Sequence, residues 1–390
     1  MTYDYYNRIF KDLPKPLAFV DMDLLDQNIQ QIARQTALHQ LRVASKSLRC
    51  VALLHYLQTK LDNYAGLMTY SLRETLHLLK KGFDQILIGY PVVHQASIAQ
   101  IIPFLRGGRS VVFMVDAPEH LAVLEQIGHE HSLTILVCID TDMSLRLPGL
   151  HFGVWRSQIN TRKKFVAIVD AIHGSSSLQL VGIMGYEAQT AGIADTGNGL
   201  LKDRAITMLK KMSLKNEKKI RAWCDYLDKK NIKLSFVNGG GTGSIDTTAL
   251  DPHVSEITVG SGFYAPALFD YYHRFRYAPA AAFALEVTRK PTKGIVTCHF
   301  GGYVASGAVG KSKTPIPYLP EGLQLVGNEA TGEVQTPIIC GKNKIGIGDT
   351  IFFRHAKAGE LCEHFNELYL VRQGKIIDIC KTYRGEGVTD

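Results

Sequence analysis

A short apolar strand leads into a glycine-rich loop in Leu234-Ser235-Phe236-Val237-Asn238-Gly239-Gly240-Gly241-Thr242-Gly243-Ser244. Successive glycines let backbone N–H groups converge on an anion, and Thr242 and Ser244 add hydroxyl donors. This strand is the seventh that we count along the chain. In barrels of parallel strands, phosphate sites are commonly formed by the loops after the seventh and eighth strands. The stretch therefore favours a phosphate-binding barrel over an isolated tight turn.

Apolar, β-rich runs recur through the first two thirds of the chain and alternate with helical patterns. The candidate strands are Leu41–Ser45, Tyr64–Met68, Ile86–Gly89, Val111–Val115, Thr134–Asp140, Leu180–Gly185, Leu234–Asn238 and Glu256–Gly260. The helical patterns include Leu72–Lys81, Ala117–His129 and Ala205–Lys229. Continuous apolar strands separated by helices predict a parallel sheet covered on both faces, and eight of them predict a closed (β/α)8 barrel.

The pattern changes after Ala278, where helical periodicity gives way to short alternating runs punctuated by Gly and Pro. These runs are Phe283–Thr288, Gly294–Cys298, Thr350–Arg354, Glu367–Val371 and Ile376–Ile379. They predict an all-β domain. The sequence thus predicts an α/β chain with a TIM-type barrel over residues 22–278 and a β domain over residues 279–390. The β domain is joined by a strand from residues 1–21, at Leu17–Val20.

The composition is that of a globular protein, with 46% apolar and 21% charged residues among 390. No apolar run is long enough for a membrane helix, and the first residues lack the pattern of a signal peptide. The seven cysteines are odd in number and form no CxxC pair, which favours a reduced, cytoplasmic compartment over a disulfide framework. We expect no membrane partner.

The formal net charge is +8, and many of the basic residues lie within Lys202–Arg221. Such a cluster could bind nucleic acid, but no nucleic-acid-binding motif accompanies it. A solvated helix face is the more ordinary explanation. We therefore expect no nucleic-acid partner.

A lysine follows the first barrel strand in Arg42-Val43-Ala44-Ser45-Lys46-Ser47. Catalysis in these barrels takes place at the carboxyl ends of the strands. A partly desolvated lysine there can lose its proton and form a Schiff base, although many strand-end lysines are only surface residues. A second small-residue loop, Gly260-Ser261-Gly262-Phe263-Tyr264, follows the eighth strand. A reactive lysine and an anion cradle together fit pyridoxal 5′-phosphate (PLP), which needs both.

The sequence resembles the fold-type III PLP enzymes with an alanine racemase N-terminal-type barrel, in the branch of D-threonine aldolase and D-serine dehydratase. The most similar group is the "amino acid deaminase/aldolase" subgroup. The segments that carry this resemblance are Leu17–Asp23 through Asn28, Val43–Lys46, Ser71–Glu74, Gly89–Pro91 and Gly239–Gly243. The resemblance implies that Lys46 is catalytic and carries PLP. It also implies that the loop residues Gly240, Gly241, Thr242, Gly260, Ser261 and Gly262 hold the phosphate.

Two further roles come from the resemblance alone. Arg146, in Asp140-Thr141-Asp142-Met143-Ser144-Leu145-Arg146, matches an arginine that contacts the cofactor's ring oxygen. Tyr186, in Gly182-Ile183-Met184-Gly185-Tyr186, matches a tyrosine that lines the PLP site. Without the resemblance, a surface salt bridge and a core aromatic would be the ordinary explanations.

The sequence departs from this branch in the β domain, where the family carries a His-x-Cys or His-x-Asp metal string. The matching string is Glu360-Leu361-Cys362, with His355 and His364 close by in the chain. Glu and Cys both bind divalent metals such as Zn, Mn or Mg, but a mixed pair is not diagnostic. Two interpretations stay open, a divalent metal held by Glu360 and Cys362, with His355 as a substitute, or direct contact of Glu360 with substrate.

These residues lead us to expect a PLP-dependent lyase that acts on a β-hydroxy amino acid of D configuration, by aldol cleavage or by dehydration and deamination. The alternatives are an amino-acid racemase and a PLP-binding protein without turnover. A racemase needs a second acid/base group, for which the β domain offers Tyr303, Tyr318 and Tyr369. The resemblance implies a homodimer and a small-molecule amino-acid substrate.

Overall fold

The computed structural model describes residues 2–196, 199–213, 217–308 and 310–388, and it does not describe the side chains of residues 217 and 311. The chain divides into two compact units. The barrel unit comprises residues 33–46 and 58–260, and the sheet unit comprises the described parts of residues 1–32, 47–57 and 261–389. The barrel unit therefore holds the predicted parallel strands, and the sheet unit holds both ends of the chain.

The strands, in chain order, are β1 Leu17–Asp21, β2 Gln40–Ala44, β3 Tyr64–Thr69, β4 Ile86–Ile88, β5 Val111–Val115, β6 Ile135–Thr141, β7 Leu145–Leu147, β8 Leu150–Phe152, β9 Leu178–Gly185, β10 Phe236–Gly239, β11 Glu256–Val259, β12 Ala281–Thr292, β13 Ile295–His299, β14 Ile316–Leu319, β15 Gln324–Leu325, β16 Gln335–Ile339, β17 Thr350–Arg354, β18 Glu367–Arg372 and β19 Lys375–Lys381.

The α-helices are α1 Tyr3–Phe10, α2 Met22–Gln35, α3 Val51–Lys60, α4 Leu72–Lys80, α5 Gln95–Ala99, α6 Ile102–Arg106, α7 Pro118–His131, α8 Arg162–Gly174, α9 Ala188–Ala191, α10 Leu200–Ser213, α11 Glu217–Lys229, α12 Ile245–Thr248, α13 Ser261–Tyr264 and α14 Leu361–His364. Short 3-10 turns occupy Ser45–Ser47, Thr242–Ser244, Ala267–Tyr271 and Lys311–Lys313.

Eight of the described strands close into a parallel barrel in the order β10-β11-β2-β3-β4-β5-β6-β9. The closed barrel predicted from the sequence is confirmed. Most positions in its strands are apolar because both faces are covered, and every residue of Val111–Val115 is buried. Since all strands run in one direction, the segments after β2, β10 and β11 emerge at the same end of the barrel, and these three strands are direct neighbours.

Residues at the ends of helices α4 and α7 account for where these helices begin and end. In α4, the side chain of Ser71 accepts a hydrogen bond from the backbone N–H of Glu74 at 3.1 Å, which satisfies a free donor of the first turn. Helix α7 has Pro at its first position and ends at Ser132 in left-handed conformation. The predicted helix Ala205–Lys229 corresponds to α10 and α11, and residues 214–216 between them lie outside the described residues.

A buried ion pair inside the barrel ties the first strand to the last. Nε of Arg42 on β2 lies 2.7 Å from Oε1 of Glu256 on β11. Asn238 on β10 donates to the same carboxylate at 2.7 Å. Because each buried polar group finds a partner, the network fixes the register of the three strands whose ends form the candidate site.

The sheet unit contains a mostly antiparallel sheet in the order β15-β16-β13-β12-β1-β18-β19, with β14 and β17 attached beside β12. Strand β1 pairs antiparallel with β12 and parallel with β18, so it lies inside the sheet. Helix α1 packs Tyr6 and Phe10 against Phe19 and Phe352 of this sheet. The aromatic cluster gives the sheet unit an apolar core of its own.

Among the described residues, no helix combines the length and apolar character that crossing a membrane requires. The described cysteines are all free thiols.

Candidate active site

Lys46 lies in the 3-10 turn that directly follows β2. The turn is fastened to the neighbouring strand because Oγ of Ser45 donates to the carbonyl oxygen of Met68 at 2.8 Å. The lysine side chain is exposed at the end of the barrel, and its Nζ donates to the hydroxyl of Tyr90 at 3.1 Å. A primary amine is thus presented where the carboxyl ends of the barrel strands meet.

The loop after β10, predicted to bind an anion, has a backbone that requires glycine at two positions. Gly240 has a φ of +79°, a conformation that favours glycine. A Cβ atom on Gly241 would lie 2.9 Å from Cβ of Ala191 and 3.2 Å from the ring of Tyr186, so only glycine fits there without displacement. The N–H of Gly240 donates to Oε2 of Glu187 at 3.1 Å, so this donor is already hydrogen-bonded to a carboxylate oxygen.

The rest of this loop turns back on itself. Thr242–Ser244 forms the 3-10 turn, and the N–H of Gly241 donates to Oγ of Ser244 at 3.1 Å. The side chains of Thr242 and Ser244 are buried. Backbone donors and hydroxyl groups are therefore concentrated within a few residues of the end of β10, as the glycine-rich sequence predicts.

The second predicted loop begins at Gly260, which ends the barrel unit directly after β11. Ser261 and Gly262 follow it in the chain as the first residues of α13 and belong to the sheet unit. The place of Gly260 beside β10 and β2 follows from the strand pairing. The participation of Ser261 and Gly262 in anion binding stays a prediction.

A half-buried arginine that the sequence analysis does not single out lies at the same end of the barrel. Nε of Arg156 is 2.5 Å from Oδ2 of Asp140, and Nη2 donates to the carbonyl oxygen of Gly89 at 2.6 Å. Its guanidinium lies 4.8 Å from the ring centre of Tyr90 and 5.7 Å from that of Tyr186. Arg156 therefore connects the ends of three barrel strands, β4, β6 and β9, through side-chain contacts.

Burial controls the charge state of this cluster. Burial raises the pKa of Asp140 to about 6, although the Arg156 guanidinium opposes the rise. Burial also raises the pKa of Tyr90, but the charges of Lys46 and Arg156 more than offset this effect, so that its pKa lies below the usual 10.0. For Tyr186, burial dominates and raises the pKa. The pKa values of two tyrosines in one site are thus shifted in opposite directions, down for Tyr90 and up for Tyr186.

Arg146 takes a different position from Arg156. Its Nη2 lies 2.8 Å from Oδ2 of Asp142, its guanidinium is 5.8 Å from the ring centre of Trp155, and 47% of its side chain is exposed. Arg146 lies on the β7–β8 hairpin, whereas Arg156 lies in the irregular segment that follows β8. The cofactor contact assigned to Arg146 stays a prediction, and the structure offers Arg156 as the arginine nearest to the Lys46–Tyr90 pair by contact.

The β-domain string lies in the sheet unit. Oε1 of Glu360 accepts a hydrogen bond from the N–H of Ser306 at 2.9 Å, and its Oε2 is buried without a hydrogen-bond partner among the described residues. The Cys362 thiol donates to the carbonyl oxygen of Leu48 at 3.1 Å, and burial raises its pKa to about 12.

A cavity of about 10 Å³ beside this string is lined by Tyr303, His355, Lys357, Glu360 and His364, among others. His355 is buried, and neither ring nitrogen makes a hydrogen bond of normal geometry within the described residues. Nevertheless, no group of three or more His, Cys, Asp or Glu side chains in the described part of the chain is arranged to hold a metal. Of the predicted ligands, Glu360 and His355 line this cavity, whereas Cys362 does not.

The model of the family described as "Alanine racemase, N-terminal domain" matches residues 20–267. The chain belongs to this family. The match covers the barrel and more than half of the chain, and it agrees with the resemblance stated from the sequence segments above. The fold-type III assignment is thereby confirmed.

One curated relative is the 3-hydroxy-D-aspartate aldolase of Paracoccus denitrificans (strain Pd 1222), which is 22% identical over 252 residues. The aligned part is 64% of this chain but only 60% of the aldolase, so the chain spans less than two thirds of that protein's length.

Two solved structures share the fold over nearly their whole length. A D-threonine aldolase from Filomicrobium marinum has a TM-score of 0.80, with 17% identity and 96% of each chain covered. A D-threo-3-hydroxyaspartate dehydratase from Delftia sp. HT23 has a TM-score of 0.77, with 14% identity, 95% of this chain and 98% of that chain covered. At these identities, the likeness establishes the fold alone.

Proposed function

We propose that the protein is a PLP-dependent lyase that acts on a β-hydroxy amino acid of D configuration, with Lys46 as the residue that binds PLP covalently. Three enzymes named above support this proposal, since a 3-hydroxy-D-aspartate aldolase, a D-threonine aldolase and a D-threo-3-hydroxyaspartate dehydratase all act on such substrates by name. The family to which the chain belongs supports the cofactor.

The observation that carries the proposal is the arrangement of the ends of β10, β11 and β2. These neighbouring strands bring a glycine cradle and a lysine amine to one end of the barrel. A phosphate would fit this loop chemically, because the N–H of Gly240 already donates to a carboxylate oxygen and the close packing of Ala191 and Tyr186 against Gly241 requires a glycine there. PLP needs one anion site and one amine, and this end of the barrel supplies both.

When bound, PLP withdraws electrons from the α carbon of an attached amino acid, so that negative charge can develop there. Lys46 would hold the cofactor through its amine, and a free Lys46 amine can take a proton. Arg156, fixed by Asp140 and Gly89, presents a positive charge that orients negatively polarised groups at the site. Tyr186 forms a wall beside Gly241.

Two reactions on the same substrate class remain candidates. Aldol cleavage requires a base that removes the proton of the β-hydroxyl. Dehydration requires a base that removes the α proton, for which Lys46 is suited, and an acid that protonates the departing hydroxyl. The relatives include examples of both, so the reaction products decide between them.

The residues of the β domain do not fit the predicted divalent metal. Cys362 uses its thiol as a donor to Leu48, and Glu360, His355 and Cys362 form no three-ligand group within the described residues. A structural zinc site has four ligands and a catalytic site three protein ligands. We therefore derive no catalytic step through a metal.

A homodimer and a cytoplasmic location are parts of the same proposal. The free thiols of the described cysteines are consistent with a reducing compartment. Sizing chromatography coupled to light scattering tests the dimer, and a monomer with full specific activity would contradict it.

The experiment that tests the function begins with purified protein incubated with PLP. We expect a visible absorption band that disappears on borohydride reduction, with the reduced label on the peptide that contains Lys46. Lys46→Ala is expected to abolish the label and to lower turnover by about a thousandfold or more. Lys60→Ala, which removes an exposed lysine at the end of α3, is the matched control.

The substrate is then identified with D-threonine, D-serine and the 3-hydroxyaspartates. An aldehyde indicates cleavage, whereas ammonia with a keto acid indicates dehydration. A product that keeps the amino acid but inverts its configuration would indicate a racemase instead. A protein that binds PLP through Lys46 but converts neither the D- nor the L-amino acids would be a PLP-binding protein without turnover.

A further inference from the structure

Tyr90 is held next to the candidate catalytic lysine by contacts on both sides. It follows β4 and Gly89, whose N–H donates to the carbonyl oxygen of Thr69 at 2.8 Å. The carbonyl oxygen of Gly89 accepts a hydrogen bond from Nη2 of Arg156 at 2.6 Å. The backbone before Tyr90 is thus fixed, and its hydroxyl lies 3.1 Å from Nζ of Lys46.

The charges that face Tyr90 come from different segments of the barrel end. Lys46 approaches the hydroxyl, and Nζ lies 5.6 Å from the ring centre. The Arg156 guanidinium lies over the ring, with Asp140 as its counter-ion. Tyr186 contacts the same guanidinium from β9. Two cations beside one phenol stabilise its ionised form, and the Asp140 carboxylate is paired with Arg156.

We propose that Tyr90 is a catalytic acid–base residue that exchanges a proton with Nζ of Lys46, a role that rests on the proposed function. A lysine amine attacks an aldehyde carbon only after its ammonium form has lost a proton. The phenolate oxygen of Tyr90 takes that proton, which leaves a neutral amine and a neutral phenol. When the amine condenses with an aldehyde, its two remaining protons leave with the carbonyl oxygen as water, and Tyr90 keeps the third.

The same proton exchange applies whenever the Lys46 ammonium group has to lose a proton during turnover. A lysine that has accepted a proton must release it before its amine can attack again, and the Tyr90 oxygen lies within hydrogen-bond distance to accept it. The competing explanation is that Tyr90 only forms a wall of the site. A wall residue would not affect the protonation of Lys46, and this difference defines the test.

The first measurement uses the protein without PLP. Ultraviolet difference titration records the ionisation of tyrosines in the wild type and in Tyr90→Phe. We expect one tyrosine of the wild type to ionise at lower pH than the others, and Tyr90→Phe to lack that component. Tyr64→Phe is the control, because Tyr64 is the first residue of β3, at the amino end of a barrel strand, and its hydroxyl is buried without a hydrogen-bond partner in the described residues.

The second measurement is the rate at which PLP and borohydride label Lys46 as a function of pH. In Tyr90→Phe we expect slower labelling at neutral pH, by about tenfold, and a profile shifted to higher pH. Tyr64→Phe should keep the wild-type profile. Far-ultraviolet circular dichroism of both variants establishes that they are folded.

Wild-type titration and labelling profiles in Tyr90→Phe would overturn the proposal. Failure of the proposed function gives a different result, since Lys46 of the wild-type protein would then take no PLP label at any pH. The tyrosine titration does not depend on PLP, so it tests the Lys46–Tyr90 pair even in that case.

Discussion

The backbone N–H of Gly240 donates a hydrogen bond to Oε2 of Glu187 over 3.1 Å. Glu187 directly follows Tyr186 at the end of β9, and Gly240 directly follows β10, so two neighbouring strand ends are joined across the candidate phosphate cradle. The Glu187 carboxylate accepts the hydrogen bond of the Gly240 N–H, a donor that a bound phosphate would use. Glu187 would therefore compete with a phosphate for this donor.

Removing the charge of Glu187 should strengthen cofactor binding. Glu187→Gln keeps an oxygen that can accept the Gly240 N–H but removes a negative charge beside the phosphate, so we expect the Kd for PLP to fall by about three- to tenfold. Titration of the visible band or of protein fluorescence with PLP measures this change. Asp246→Asn, an exposed acidic residue on α12, is the matched control. Weaker binding in Glu187→Gln would mean that the carboxylate supports the loop.

A side chain at Gly241 should weaken PLP binding. The added Cβ of Gly241→Ala would lie 2.9 Å from Cβ of Ala191, and the loop has to shift to accommodate it. Because backbone donors must converge to bind phosphate, we expect about tenfold weaker PLP binding. Gly174→Ala is the control, since a Cβ there meets nothing within 4 Å. Equal affinities in the two variants would exclude this loop as the phosphate site.

Protonation of Asp140 should lower the activity of the enzyme at acid pH, which appears as an acid limb in the rate–pH profile. Its pKa is raised to about 6 by burial, so below that pH the carboxyl is protonated and the ion pair with Arg156 is lost. We expect activity to fall with a midpoint near pH 6 in the wild type. Asp140→Asn should lack this limb and lose about tenfold in activity at pH 8. Rate–pH profiles of both proteins measure it.

Global unfolding does not produce the same limb. The pKa of Asp140 in the fold lies above its unfolded value of 3.8, so its contribution to the free energy of unfolding is greatest below pH 3.8 and is lost as pH rises through about 6. Stability from this group therefore changes in the opposite direction to activity. If the loss of activity at acid pH persists unchanged in Asp140→Asn, another residue must cause it.

The barrel could be predicted from the sequence because strands buried on both faces carry continuous apolar runs. Val111–Val115 was predicted with its observed bounds, and the other barrel strands differ by one or two residues at an end. One rule, that functional groups follow the carboxyl ends of barrel strands, singles out Lys46 and Gly240 as candidates. This rule works because parallel strands bring distant sequence segments to one end.

Residues outside that rule could not be found in this way. Arg156 lies in an irregular segment after β8, and Ser157 fastens that segment by donating to the carbonyl oxygen of Asp140 at 2.6 Å, a contact without a local sequence signal. Tyr90 follows β4 and so satisfied the rule, but its pairing with Lys46 depends on which strands are near neighbours. The direction of the Cys362 thiol toward Leu48 depends on tertiary packing that spacing cannot reveal.

His355 should make the protein less stable in weak acid. Burial and, to a lesser degree, the neighbouring Arg354 lower the pKa of His355 to about 3, and the backbone of Ala281 offsets this only in part. The unfolded chain binds a proton near pH 6.5, whereas the folded chain does not, so stability present above pH 6.5 is lost as pH falls toward 3. His355→Leu removes this loss. We expect the variant to gain about 1–2 kcal/mol more in free energy of unfolding at pH 5 than at pH 8, because one pKa unit corresponds to about 1.4 kcal/mol.

Urea denaturation at the two pH values measures the difference, and His129→Leu is the control, because 58% of the His129 side chain is exposed on α7. The same gain at both pH values would show that His355 is not held neutral by burial. A loss at both would show that its ring makes a contact that stabilises the sheet unit, so that the orphaned ring nitrogens beside Glu360 have a partner in solution. Urea titration thus tests the charge state of His355 without any assumption about the reaction.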